Sequence, residues 1–201
     1  SASEIQPEKH AQDAVKEAVN KDAINLDEAA KALEKARKNS DLLKISSSDF
    51  VLGDKSAPIT MIEYASLSCP HCASFTRESF DRIKSEYIDS NKVKFIFRNF
   101  PLNQAALFGA MFASCQADDN KSQSTEKYFS SIKVLFKTQD SWAFDGDYKE
   151  RLQSIAKLDG MSEERFTKCI EDKSLQEKIL SDRIITSKEL QLRSAPTFFI
   201  N

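Results

Sequence analysis

At 201 residues and 22.7 kDa, the chain can bury one good core and carry an appendage, and 40% apolar content with 14 phenylalanines supports a packed globule. A formal charge of −2 and a pI near 5.8 leave no basic footprint for nucleic acid. No run of 18 apolar residues occurs, which excludes a helical transmembrane segment, and Ser1 opens the chain without a charged-then-apolar leader, as expected of a mature or trimmed form.

Residues 1–45 contain no aromatic side chain, but Ala, Lys and Glu recur there on a helical period. Ala11, Ala14, Val15, Ala18 and Val19 mark one face of a first helix. Ala29, Ala30, Leu33 and Ala36 mark a second, with Asn25 and Glu28 spaced as a capping box. Each stripe is narrow, so the segment must fold onto the main body, pack against copies of itself, or stay partly disordered. Residues 46–54 read as a linker with a short first strand around Phe50-Val51-Leu52.

The apolar strand Ile59–Tyr64 runs into Cys69-Pro70-His71-Cys72, and an amphipathic helix follows. In a C-x-x-C that opens a helix, the first sulfur stands at the exposed N-terminus and the second lies about one turn in. Pro70 suits the first turn, where its missing N–H would have had no intrahelical partner. Phe75, Phe80, Ile83 and Tyr87 supply the inner face, with Arg77, Glu78, Asp81 and Lys84 between them. The positive end of the helix, free backbone N–H groups and a protonated His71 would each stabilise a thiolate at Cys69, so its pKa is expected to be depressed. Such a pair performs disulfide exchange: Cys69 attacks or is attacked, and Cys72 resolves.

Strand Val93–Phe97 completes a β-α-β unit whose crossover is long enough for parallel pairing. From Pro101 to about Leu192 the periodicity is helical. The stretch from Asn103 to Gln116 is apolar on most sides and expected to be buried; Ser124–Phe136 and Tyr148–Leu158 are amphipathic, the latter stopped by Gly160. Ser174 and Glu177 give a capping box for a long last helix. Phe108, Phe112, Tyr128, Phe129, Phe136 and Trp142 read as core, although some could line a substrate groove.

Cys115 and Cys169 fall on two different helices of this region. A disulfide between them would close a loop of about 55 residues, stabilising the fold by about 4 kcal/mol in the chain-entropy account. Two buried free thiols are the alternative, and an oxidising compartment favours the bridge. Zinc is the competing explanation of the C-x-x-C. It needs four ligands at close spacing, and with only His10, His71 and two isolated cysteines remaining, no metal and no cofactor are expected.

The stretch Thr60-Met61-Ile62-Glu63-Tyr64-Ala65-Ser66-Leu67-Ser68-Cys69-Pro70-His71-Cys72, together with Ser194-Ala195-Pro196-Thr197-Phe198-Phe199-Ile200, resembles the DsbA-type thiol-disulfide oxidoreductases, over approximately Asp49–Asn201. That resemblance implies an α/β, thioredoxin-like fold with an inserted all-helical domain and a helical N-terminal extension. The implied units are 1–45, 46–100, 101–192 and 193–201. It also implies a further C-terminal strand and helix beyond Ile200, which this sequence does not reach.

By the same resemblance, Pro196 is in cis and its backbone lies beside Cys69, with Ala195, Pro196 and Thr197 receiving a substrate chain as an added strand. Ala195 departs from the more usual Val or Thr. Glu63, on a strand fit for burial, would have a raised pKa and pass a proton to or from Cys72; a polar-edge position or a lysine partner is the bland reading. Implied partners are exported cysteine-containing clients and a regenerating redox partner, in a periplasmic or other oxidising cell-envelope compartment. Trimeric isomerase-like relatives carry an extension similar to residues 1–45, so a homo-oligomeric disulfide isomerase is one alternative. A non-catalytic thioredoxin-like adaptor is another.

Overall fold

The computed structural model describes residues 26–201. The first expected helix, around Ala11 to Val19, and Asn25 of the capping box lie outside the described residues. Helix α1 spans Leu26–Leu42. Its inward side is Ala29, Ala32 and Ala36, whereas Ala30 and Leu33 are exposed, correcting the expected stripe by one position. The reason is its seat: α1 rests one narrow edge on the last helix, and no residue of it is buried.

Four strands, β1 (Val51–Leu52), β2 (Ile59–Ala65), β3 (Val93–Asn99) and β4 (Thr197–Ile200), form one sheet in the order β1-β3-β2-β4. β2 and β3 are parallel, with Glu63 opposite Phe97; β1 runs antiparallel to β3, and β4 antiparallel to β2, with Glu63 opposite Phe198. β2 is thus covered on both edges, which suits its near-continuous apolar run. Alternation along it sends Ile62 and Tyr64 to a small cluster with Ile96, Phe100 and Leu192, and sends Met61 and Ala65 to the main core. Glu63 shares the side of Met61 and Ala65.

A helical run, α2 (residues 70–88), follows the cysteine loop. It alternates α-helical turns, Pro70–Phe75 and Asp81–Ile83, with π turns, Thr76–Phe80 and Lys84–Ile88. The π turns explain one departure from expectation. They bond i to i+5, so residues five apart face the same way: Phe75 with Phe80, and Ile83 with Ile88. Ile88 is buried and Tyr87, the residue that ordinary helical spacing places inside, is 45% exposed.

Between β3 and β4 lie α3 (Gln104–Asp119), α4 (Ser124–Lys137), the short α5 (Gln139–Trp142), α6 (Tyr148–Leu158), α7 (Glu163–Ile170) and α8 (Lys173–Glu189). Eleven of the sixteen residues of α3 are buried, which makes it the spine of this insertion. Asn103 caps it by accepting from the Ala106 N–H at 2.9 Å. The last helix begins two residues earlier than the Ser174–Glu177 pattern indicates. Asp172 is its N-cap, with its carboxylate accepting from the Leu175 N–H at 3.1 Å, and an acid serves there because it also meets the positive helix end.

Arg98, on β3, fixes the chain that leads from α1 to the sheet. Its guanidinium donates to both carboxylate oxygens of Asp49, at 3.0 and 2.8 Å, to the Leu42 and Lys44 carbonyls, and to the Tyr64 hydroxyl. Every donor direction of the planar fork is used, which makes the partly buried charge tolerable.

Candidate active site

Cys69 is the N-cap of α2, in extended backbone with φ −81° and ψ 120°, and Pro70 is the first helical residue. Local sequence dictates this: proline has no N–H to lose at the first turn, and the Cys69 carbonyl accepts from the Ala73 N–H at 3.1 Å. Pro70 and His71 are exposed. The Cys69 sulfur, expected in the open, is instead largely covered, with the residue 7% exposed; Cys72 is fully enclosed. Neither is bonded to another sulfur, so the structure shows the dithiol.

The cover over Cys69 comes from the far end of the chain. Ala195–Pro196 is a cis peptide bond, and the Cys69 thiol donates to the Ala195 carbonyl at 3.5 Å across 126 residues of sequence. The Thr197 hydroxyl donates to the Ser194 carbonyl at 2.7 Å and ties this loop to itself. Phe198 packs on Phe75 with ring centres 4.7 Å apart, so β4 and α2 meet directly behind the loop.

Beneath the pair lies Glu63, 2% exposed, with Oε2 lacking any hydrogen-bond partner. Burial raises its pKa to about 8, which keeps it a neutral acid at neutral pH. Burial also pushes the Cys72 thiol far above the ordinary thiol range; the neighbouring Cys69 and Glu63 add to the rise, and a hydrogen bond from the Ser66 backbone opposes it. The two acids therefore share one unsolvated space in which a charge on either disfavours a charge on the other. The polar-edge and lysine-paired readings of Glu63 do not describe this position.

Two contacts of the loop have no warning in the sequence. The Ser66 hydroxyl accepts from the Leu102 N–H at 3.2 Å. Gln139, buried at 1% exposure on α5, donates through Nε2 to the carbonyls of Leu67 and Cys69, at 2.9 and 3.0 Å. A glutamine some 70 residues away carries no motif; only its place two residues after Phe-Lys at the end of an amphipathic helix and three before a core tryptophan sets it apart.

Cys115 and Cys169 are joined to each other, linking α3 to α7 away from this site. Among the described residues, no cluster of three or more His, Cys, Asp or Glu side chains is placed to hold a metal. No described helix is long and apolar enough to cross a membrane.

Comparison with known proteins places this geometry in a family. The thioredoxin family profile matches residues 45–201. The crystal structure of Wolbachia pipientis alpha-DsbA1 superposes with a TM-score of 0.74 at 40% identity, covering 80% of this chain and 78% of that one. Rickettsial proteins provisionally named protein-disulfide oxidoreductases are also similar. The one from Rickettsia typhi is 31% identical over 158 residues, and that from Rickettsia bellii 32%. The matches take in 79% of this chain but only 56% and 59% of those proteins, so the chain spans less than two thirds of these relatives' length.

Proposed function

The chain belongs to the thioredoxin family, and from that premise we propose that it exchanges disulfides with cysteine-containing exported proteins through Cys69 and Cys72. The observation that carries this reading is the contact of Cys69, at a helix start, with the cis-Pro196 loop. In the donor direction the pair begins as a disulfide. A client thiolate attacks Cys69; a client–Cys69 bond forms, the Cys69–Cys72 bond breaks, and Cys72 leaves with the electron pair.

Cys72 is enclosed where its thiolate is disfavoured, so it must take a proton as it leaves. Glu63, neutral below about pH 8 and in electrostatic contact with it, is the proton donor in this role. A second client thiolate then attacks the client sulfur of the mixed disulfide, closing the client's own bond and expelling Cys69 as a thiolate. Two electrons have passed from client to enzyme, and a separate oxidant, supplied by a redox partner, must remove them. Pro70 sets the helix start, and His71 beside Cys69 adds positive charge to the departing thiolate when protonated. The backbone of Ala195, Pro196 and Thr197 receives the client as an added strand.

The units of this machine are residues 46–100 and 193–201 for the chemistry, 101–192 as a helical cover, and 1–45 as an extension. A periplasmic or other oxidising cell-envelope compartment fits the Cys115–Cys169 bond. The test is oxidation of a reduced dithiol peptide by the pre-oxidised protein. Peptide oxidation should match the thiols appearing at Cys69 and Cys72, and Cys69→Ser should abolish it. No exchange in either direction with any dithiol would leave only the adaptor reading.

A second reading, an assembled isomerase, is favoured by one observation: Leu26 and Leu33 of α1 are 73% and 45% exposed. Light scattering on the whole chain, with Leu26→Glu and Leu33→Glu beside it, tests assembly, and refolding of scrambled ribonuclease tests isomerisation.

A further inference from the structure

The loop that carries the attacking sulfur, residues 66–69, is held from three directions. Ser66 closes it on itself, its carbonyl accepting from the Cys69 N–H at 3.0 Å, and anchors it to the start of the insertion through Leu102. The third hold is Gln139. Its Nε2 has two hydrogens, and both go to this loop, one to the Leu67 carbonyl and one to the Cys69 carbonyl. Leu67 is wholly buried, so its carbonyl needs a partner within the protein.

The short helix α5 that bears Gln139 is itself pressed into place. Trp142, fully buried, donates to the Leu135 carbonyl at 3.0 Å. A Cβ at Gly109 would stand 3.2 Å from both Leu67 Cδ1 and Trp142 Cη2, so a side chain there would press on both, and glycine eases the close approach of α3, α5 and the cysteine loop.

We propose that Gln139 is a positioning residue for the redox chemistry: its carboxamide fixes the Cys69 carbonyl and draws negative charge away from the peptide group next to the attacking sulfur. The proposal rests on the reading of Cys69 as that sulfur. The Cys69 carbonyl belongs to the residue that bears the sulfur, and because it accepts from Ala73 its oxygen points down the helix, away from the mouth. The second donor, Gln139, holds it in that direction and offsets the partial negative charge on its oxygen. Either effect favours charge on the sulfur. Because a stabilised thiolate stabilises the reduced pair, Gln139 also makes the Cys69–Cys72 disulfide a stronger oxidant. The inserted helices thereby tune the couple through one side chain.

Two substitutions test this in the whole chain. Gln139→Met keeps the volume and removes both donors, and Gln139→Glu keeps the shape while facing the two carbonyls with acceptors. Both should slow alkylation of reduced Cys69 by iodoacetamide at neutral pH and displace its pH profile upward. Both should shift the equilibrium with glutathione toward the protein disulfide, by roughly tenfold for the loss of donation to Cys69, the scale of one hydrogen bond. In Gln139→Glu, acidification that protonates the new carboxyl should restore part of the lost reactivity.

A merely structural glutamine would lower the melting temperature and leave the alkylation profile and glutathione equilibrium of the folded protein as they were; that result in Gln139→Glu, or in Gln139→Met where it folds, overturns the proposal. Alkylation needs only the thiol, so it reports on Gln139 even where the wild-type chain oxidises no peptide, an outcome that counts against the proposed function instead.

Discussion

The four cysteines form two pairs that the fold treats in opposite ways. Cys115 and Cys169 are 54 residues apart, meet between two packed helices and are bonded. Cys69 and Cys72 are three apart, sit at the start of one helix and stand free. Both pairs are buried, so burial does not separate them. Surroundings do: the distant pair lies between two packed helices with the Met111 carbonyl oxygen 3.1 Å from the Cys169 sulfur, whereas the near pair sits at a helix start with the Ala195 carbonyl on one side and an unpartnered acid beneath. A thiol becomes reactive where a charge can be made and passed on, and becomes a staple where it cannot.

The sharpest way to break this contrast is to remove sulfurs from each pair in turn. Cys69→Ser is expected to reduce peptide oxidation to the uncatalysed level, while Cys72→Ser, given a disulfide-bonded client that the Cys69 thiolate can attack, should accumulate a mixed disulfide at Cys69, visible by mass as a client adduct. Replacing Cys115 and Cys169 together by Ala should leave Cys69 alkylation at the wild-type rate and lower stability by about 4 kcal/mol, the loop-entropy scale, in urea denaturation. A double variant that alkylates more slowly would show that the two pairs are coupled after all.

Glu63 sharpens the comparison through pH. Its folded pKa, about 8, lies above the ordinary 4.5, so folding favours the protonated form. Stability from this group is complete below about 4.5; as pH rises from there to about 8 the unfolded chain ionises first and stability is lost, by a few kcal/mol in all. Glu63→Gln removes that slope, so the variant should gain on the wild type steadily across this window in denaturant titrations at a series of pH values. Parallel curves would place the carboxyl in water. In the exchange assay the same variant should slow release of Cys72 most below pH 8, where the wild-type acid still holds its proton.

The smallest expected effect belongs to the surface. Lys133 of α4 pairs with Asp81 of α2 at 3.0 Å, with both side chains more than a third exposed. Lys133→Met should change stability by less than about 1 kcal/mol and leave Cys69 reactivity alone. A larger effect on alkylation would mean that the insertion acts on the cysteine helix by a surface route and not only through Gln139.

Much of the site was legible in the chain. Cys69, Pro70, His71 and Cys72 announce a helix start because proline and the spacing leave few other geometries, and Glu63 is conspicuous as an acid on an otherwise apolar strand. Ordinary helical spacing places Tyr87 on the inner face of α2 and cannot foresee two π turns, although the five-residue steps from Phe75 to Phe80 and from Ile83 to Ile88 are written in the sequence. At the start of α8, Asp172 and Ser174 both suit the cap, and only the observed backbone chooses Asp172.

Sequence by itself determined the thiol pair, the strand-to-helix setting and the helical character of residues 101–192, since these follow from local periodicity and from the few conformations open to proline and glycine. Tertiary structure alone decided what surrounds the sulfur. Ala195 and Gln139 reach Cys69 across 126 and 70 residues, and only packing of the insertion against the sheet brings those polar groups within hydrogen-bonding distance of it. Hydrogen bonds between such distant residues leave no local pattern, because each partner is chosen by its neighbours in space.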